Sequence, residues 1–209
     1  MSIFCLNCRG LGDPRAVNNL RLALRRYSPS LVFLSETKLP AASMDNIKRK
    51  IGNYNGIAVD SRGRSGGVAL LWDKAINVSL LSCSSHHIDV SIQDVGGSIA
   101  WRFTGVYGWA ESQNKTKTCE LLSAIHRNSE LPWLVGGDLN EILFNFEKKG
   151  GSHKSQYILD LFRDTLEECG LYDLGFKGYE FTWENRRAEG EVIEAVSYTH
   201  LTLPTNREV

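Results

Sequence analysis

The sequence predicts a mixed α/β fold with a largely antiparallel sheet component. Three observations carry this expectation. Apolar runs of strand length, such as Leu31-Val32-Phe33-Leu34 and Val68-Ala69-Leu70-Leu71-Trp72, are interspersed with amphipathic stretches of helix length. Residues 87–92 and 99–107 alternate apolar and other residues on either side of Gly96-Gly97, as the arms of a hairpin do. A chain of 209 residues is long enough for one sizeable core, and nothing requires a second domain.

Residues 2–8 read as a short buried strand reaching Asn7, followed by the glycine-rich turn Arg9-Gly10-Leu11-Gly12. Asp13-Pro14 is a helix start, with a capping carboxylate and a proline at the first helical position. Val17, Leu20 and Leu24 recur at helical spacing, and Ser28-Pro29 ends the helix. The second strand, 31–34, stops at Ser35-Glu36-Thr37-Lys38, and residues 43–51 form a short helix. Residues 63–67 are a flexible turn feeding the strand 68–72, and 76–82 and 87–92 are further strands. On the return strand Ile99, Trp101, Phe103, Gly105 and Tyr107 share one face. Residues 112–128 are expected to be helical with Leu121, Leu122 and Ile125 inward.

Trp133-Leu134-Val135 is then a buried strand, and Gly136-Gly137 are expected to turn the backbone sharply before Asp138-Leu139-Asn140. In an extended segment side chains at i and i+2 point the same way, so Asp138 and Asn140 are expected to reach out together. Residues 155–168 form a last helix with Ile158, Phe162 and Leu166 inward and Gly170 as terminator, and Phe181-Thr182-Trp183 is a short aromatic strand.

Composition narrows the class. An apolar fraction of 42% and a charged fraction of 23% are those of an ordinary globular domain. No apolar run approaches the roughly 20 residues of a membrane span, and the first residues lack a signal-peptide layout, which favours an intracellular setting. Cys5 and Cys8 form one Cys-x-x-Cys with no second pair to complete a zinc site, so the five cysteines are expected to be buried reduced thiols. Net charge is zero, yet residues 1–50 carry +6 and residues 151–209 carry −5. A basic first quarter suits a phosphate backbone, and equally a solvated helix face.

Polar groups stand at or near four strand ends: Asn7, Glu36, Tyr107, and Asp138 with Asn140. A lone carboxylate there is usually a turn or helix cap, but ligand sites in such sheets collect at strand ends. The set offers no nucleophilic Ser or Cys with a partnered His and no phosphate-cradling lysine loop. Its hard oxygen donors suit Mg²⁺ or Mn²⁺.

These residues resemble the motif series of the endonuclease/exonuclease/phosphatase superfamily: Asn7 in Leu-Asn-Cys-Arg-Gly, Ser-Glu-Thr-Lys at 35–38, Gly-Val-Tyr-Gly at 105–108 and Gly-Gly-Asp-Leu-Asn at 136–140. The stretches 7–12, 65–72, 138–143, 169–175 and 181–185 are similar to the endonuclease domain of plant LINE-type non-LTR retrotransposons. The resemblance runs from residue 1 to about residue 194. It implies a four-layer sandwich of two mostly antiparallel sheets flanked by helices. It also implies Mg²⁺-dependent phosphodiester hydrolysis, with DNA as substrate in a monomeric, nuclear protein whose relatives continue into a reverse transcriptase. By motif match Glu36 would be the metal ligand with Asn7 beside it, and Asp138 would activate the attacking water. Asn140 would hold Asp138 or a phosphate oxygen, and Tyr107 would assist at the scissile phosphate. Some relatives carry an acidic metal ligand two residues after the first Asn, where this chain has Arg9.

A second departure lies at the end of the chain. Relatives run on through an Arg-Leu-Asp segment and a Ser-Asp-His segment that complete the site. Residues 195–209 match neither, and are similar to translated sequencing-adapter read-through. The domain is therefore expected to span 1–194 without its last strands, with impaired activity. Two other functions remain open: a phosphatase of the same fold acting on inositol phosphates or lipids, and a non-catalytic nucleic-acid-binding relic.

Overall fold

The computed structural model describes residues 1–63, 65–93, 100–175, 183–186, 192–195 and 200–202. Among them no helix is long and apolar enough to cross a membrane. The expected hairpin turn at Gly96-Gly97, and Ile99, Phe181 and Thr182, lie outside the described residues. The chain divides into two compact units, Met1–Tyr107 with Leu131–Asp138, and Gly108–Glu130 with Leu139–Val209.

The first unit opens with β1 (Ile3–Asn7) and α1 (Pro14–Tyr27). Asp13 caps α1 by accepting from Arg15 N, and Ser28 closes it in the left-handed region, its N–H donating to Leu24 O. After β2 (Leu31–Ser35), one 3₁₀ turn leads into α2 (Met44–Ile51). A strand that the periodicity does not reveal follows, β3 (Tyr54–Arg62). It is an edge strand, exposed at alternate residues towards its end, and Asp60, Ser61 and Arg62 supply no apolar run. Its partner β4 (Ser65–Asp73) begins earlier than expected, so Gly66 and Gly67 belong to the strand and Gly63 to the turn. β5 (Asn77–Ser84), β6 (His87–Gln93), β7 (Ala100–Tyr107) and β8 (Trp133–Asp138) complete the unit.

One sheet runs β1-β2-β4-β3 and the other contains β8-β7-β6-β5. Leu31, Phe33, Leu70 and Trp72 from the first meet Ile88, Val90, Ile92 and Phe103 from the second in one core. On the opposite face of the first sheet Val32, Leu34, Ala69 and Leu71 pack with Val17, Leu20 and Leu24 of α1 and Ile47 and Ile51 of α2. Period-two alternation thus gives the central strands β2 and β4 two buried faces.

The outer face of the second sheet is polar and buried. Arg102 Nε and Nη2 donate to the two oxygens of Asp89 at 2.9 and 2.7 Å, and Thr104 Oγ1 donates to Asp89 Oδ1 at 2.7 Å. Trp133 Nε1 donates to Thr104 Oγ1 at 2.7 Å, with the Arg102 guanidinium over its ring. Each bond satisfies a group that burial would otherwise strand.

Gly136 and Gly137 do not form the expected turn. They continue β8, opposite Gly105 and Val106 of β7. A Cβ at Gly137 would lie 2.1 Å from Val106 O and 2.8 Å from Phe33 Cε1, and its φ of +130° favours glycine in any case. The two glycines serve close strand approach, and β8 runs on to Asp138 itself.

In the second unit a 3₁₀ turn precedes α3 (Thr116–His126), which buries Thr118, Cys119, Leu122 and Ile125 while Leu121 is half-buried. β9 (Lys148–Lys149) and α4 (Gln156–Glu168) follow, α4 burying Leu159, Phe162, Thr165 and Leu166 where Ile158 was expected to lead. Gly170, at φ +64°, ends it as expected. β10 (Tyr172–Asp173) pairs antiparallel with β13 (His200–Thr202), and β11 (Trp183–Arg186) pairs antiparallel with β12 (Val192–Ala195), which also pairs with β9. All five cysteines are free, but only Cys119 and Cys169 are buried as expected, Cys5 and Cys8 being half-buried and Cys83 exposed.

Candidate active site

Two parallel ladders bring four of the expected residues together within the first unit. β1 lies parallel to β2 with Asn7 opposite Ser35, so Glu36 stands one residue beyond Asn7's partner. β7 lies parallel to β8 with Tyr107 opposite Asp138. Parallel pairing aligns the carboxyl ends of strands, the place where ligand sites gather in such sheets.

The side chains then join across the ladders. Asn7 Nδ2 donates to Asp138 Oδ2 at 2.9 Å, and the Tyr107 hydroxyl donates to Glu36 Oε1 at 2.6 Å. Asn7 Oδ1 accepts from Arg9 N at 3.1 Å, fixing the orientation of its amide. Lys38 Nζ stands 3.4 Å from Glu36 Oε2. Burial pushes the Glu36 carboxyl up, but the Tyr107 hydroxyl, the Lys38 ammonium and the Asn7 amide together hold it below the usual glutamate value. Glu36 is thus kept anionic.

The loops behind these side chains are wound unusually. Arg9, Glu36 and Lys38 have φ of +49°, +50° and +54°, a region non-glycine residues rarely occupy. Neighbouring backbone holds them there. Cys8 N, Gly10 N and Leu11 N donate to Ser35 O, Glu36 O and Thr37 O, and Thr37 N and Lys38 N donate to Gly67 O and Gly66 O.

Sequence reasoning missed two contributors. Lys38 carried no signal beyond its place in Ser-Glu-Thr-Lys. His86, in the short turn between β5 and β6, stacks on Tyr107 with ring centroids 5.9 Å apart and shares a 2.7 Å hydrogen bond between its Nδ1 and Tyr107 O. Only the register of β6 on β7 reveals that contact.

Asn140 belongs to the second unit. Its φ is +55°, so the extended i, i+2 relation to Asp138 does not hold. Its Nδ2 donates to Gly108 O at 2.8 Å, and its own carbonyl accepts from Lys115 Nζ at 2.6 Å and Lys154 Nζ at 3.2 Å. The same lysines flank the buried Glu141 carboxylate at 3.1 and 2.6 Å.

A family model described as the endonuclease/exonuclease/phosphatase family matches residues 4–189. The chain belongs to this family. No curated protein sequence matches it. Among solved structures, the endonuclease domain of TRAS1, a telomere-specific non-LTR retrotransposon, superposes with a TM-score of 0.69 at 12% identity, covering 96% of this chain and 84% of that one. The AP endonuclease LMAP from Leishmania major gives 0.74 at 12% identity, covering 97% and 78%. The 3′ phosphatase NExo from Neisseria, bound to product DNA hairpin, gives 0.68 at 16% identity, covering 98% and 87%. The helix-flanked two-sheet sandwich of this family is therefore the fold of the chain.

As a check on the paired geometry, Tyr107→Phe should raise the Glu36 carboxyl titration. The variant removes the leading hydrogen bond that lowers it. Carboxyl-detected NMR of the wild type and variant measures the shift, and an unchanged Glu36 midpoint would contradict the bond.

Proposed function

We propose that this family member is a metal-dependent phosphodiesterase that nicks DNA, as the endonuclease module of a LINE-type retrotransposon working in the nucleus. The observation that carries the reading is the pairing of Asn7 with Asp138 and of Tyr107 with Glu36 at the ends of two parallel ladders. It couples a carboxylate able to take a proton from water with a second held anionic beside a hydroxyl and an ammonium.

The donor set fits Mg²⁺ or Mn²⁺, since such ions bind through one or two carboxylates, waters and substrate phosphate. Glu36 would hold the ion, with Asn7 beside it. When bound, the ion would supply charge neutralisation at the phosphate and the leaving oxygen. Asp138 accepts the proton of the attacking water, and Asn7 fixes the orientation of its carboxylate. Tyr107, braced by His86, places its hydroxyl on the scissile phosphate once substrate displaces it from Glu36. Asn140, locked by Gly108, Lys115 and Lys154, holds a phosphate oxygen.

The test is nicking of supercoiled plasmid in Mg²⁺ beside phosphate release from inositol phosphates. Nicking that EDTA abolishes and added Mg²⁺ restores is the expected outcome. Phosphate release without any nicking would replace the endonuclease reading with the phosphatase one. Salt-sensitive DNA binding without cleavage, in EDTA and Mg²⁺ alike, would reduce the chain to a binding module.

A further inference from the structure

The loop after Asn140 carries an exposed aromatic step that the site chemistry does not use. Phe144 and Phe146 stack with centroids 5.2 Å apart and planes 8° apart, and they are 41% and 72% exposed. The Arg163 guanidinium lies over the Phe144 ring at 5.1 Å. The loop is firmly built. The buried Glu147 carboxylate accepts from Leu143 N at 2.7 Å and Phe144 N at 3.1 Å. Arg163 Nη1 donates to Leu143 O at 2.7 Å and pairs with Asp160 through Nη2. Asn145 accepts from Lys154 N at 3.0 Å, and Lys154 in turn reaches Asn140 O and Glu141.

We propose that this step is a stacking platform for an unpaired base of a DNA strand. The inference rests on the nuclease reading above. Two rings expose too little surface for a stable protein interface, which needs about 800 Å² per partner. A flat, preorganised aromatic ring suits the face of a base. Charge favours the same occupant. Glu147 spends its carboxylate on backbone amides, while Lys148 and Lys149 follow it in the chain and the Arg163 guanidinium lies over the Phe144 ring. Cations beside an open aromatic ring are what a single strand meets in proteins that bind it without sequence preference. Fixed to Asn140 through Lys154, the platform would hold the strand in one orientation relative to that residue.

Fluorescence anisotropy with a labelled 12-nucleotide single strand and its blunt duplex, in EDTA, tests the proposal on the full chain. Phe146→Ala should weaken single-strand binding about 5- to 100-fold and leave duplex binding within about twofold. Phe146→Trp should preserve single-strand binding, and Phe146→Leu should behave like alanine because it lacks a planar face. Equal binding by the leucine variant, or no effect of Phe146→Ala in a chain that still binds DNA, would overturn the platform while leaving the nuclease reading intact. A Phe146→Ala effect on self-association instead of DNA affinity would also overturn it. A wild-type chain that neither binds nor nicks DNA would overturn both.

Discussion

Asp138→Asn should reduce phosphodiester cleavage about 10²–10⁴-fold, the contribution of a positioned general base. The substitution is chosen for what it leaves in place. A carboxamide oxygen can still accept from Asn7 Nδ2, and residue 138 keeps its place opposite Tyr107 at the end of β8. The proton-accepting charge is lost. The fall should appear in kcat with KM nearly constant, and far-UV circular dichroism should be unchanged. A variant that keeps more than about a tenth of the wild-type rate would remove Asp138 from the role of base.

The largest effect on stability is expected from Asp89→Ala. The Arg102 side chain is about 2% exposed, and its Nε and Nη2 donate to the two Asp89 oxygens. Removing one partner of a buried pair leaves an uncompensated charge and costs about 3–5 kcal/mol. Thr104 would lose its acceptor as well. Urea unfolding should show this loss in the midpoint. The double variant Asp89→Leu/Arg102→Met should recover much of it, because burying neither charge avoids the penalty. A single variant as stable as the wild type would show that water reaches Arg102.

Where a local signal sufficed, the sequence was legible. Asp13-Pro14 started α1 and Ser28 stopped it, because caps and proline act within one turn. The runs at 31–34 and 68–72 became central strands, since strands buried on both faces read as continuous apolar runs. β3 was hidden because an edge strand needs no apolar run. Gly136-Gly137 misled for a different reason. Glycine permits a tight turn and close strand approach alike, and only the proximity of Val106 O to Gly137 decides between them.

The candidate site could be read from the sequence as a list of residues at strand ends but not as a set of bonds. Asn7, Glu36, Tyr107 and Asp138 were each found from their strand ends, yet their pairing depends on the parallel ladders, which sequence spacing does not encode. The expectation that Asp138 and Asn140 would reach out together rested on an extended backbone, and the left-handed φ of Asn140 removes that basis.

That left-handed winding has a wider meaning. Arg9, Glu36, Lys38 and Asn140 each occupy a conformation that glycine would adopt at less cost, on the order of 1–2 kcal/mol per residue. A sequence shaped for folding alone would place glycine at all four. Keeping side chains there is a conflict between local preference and native structure, and such conflicts belong to functional sites in otherwise self-consistent sequences. On the nuclease reading, these four positions trade backbone ease for the side chains they carry, and a descendant freed from that chemistry would relax them first.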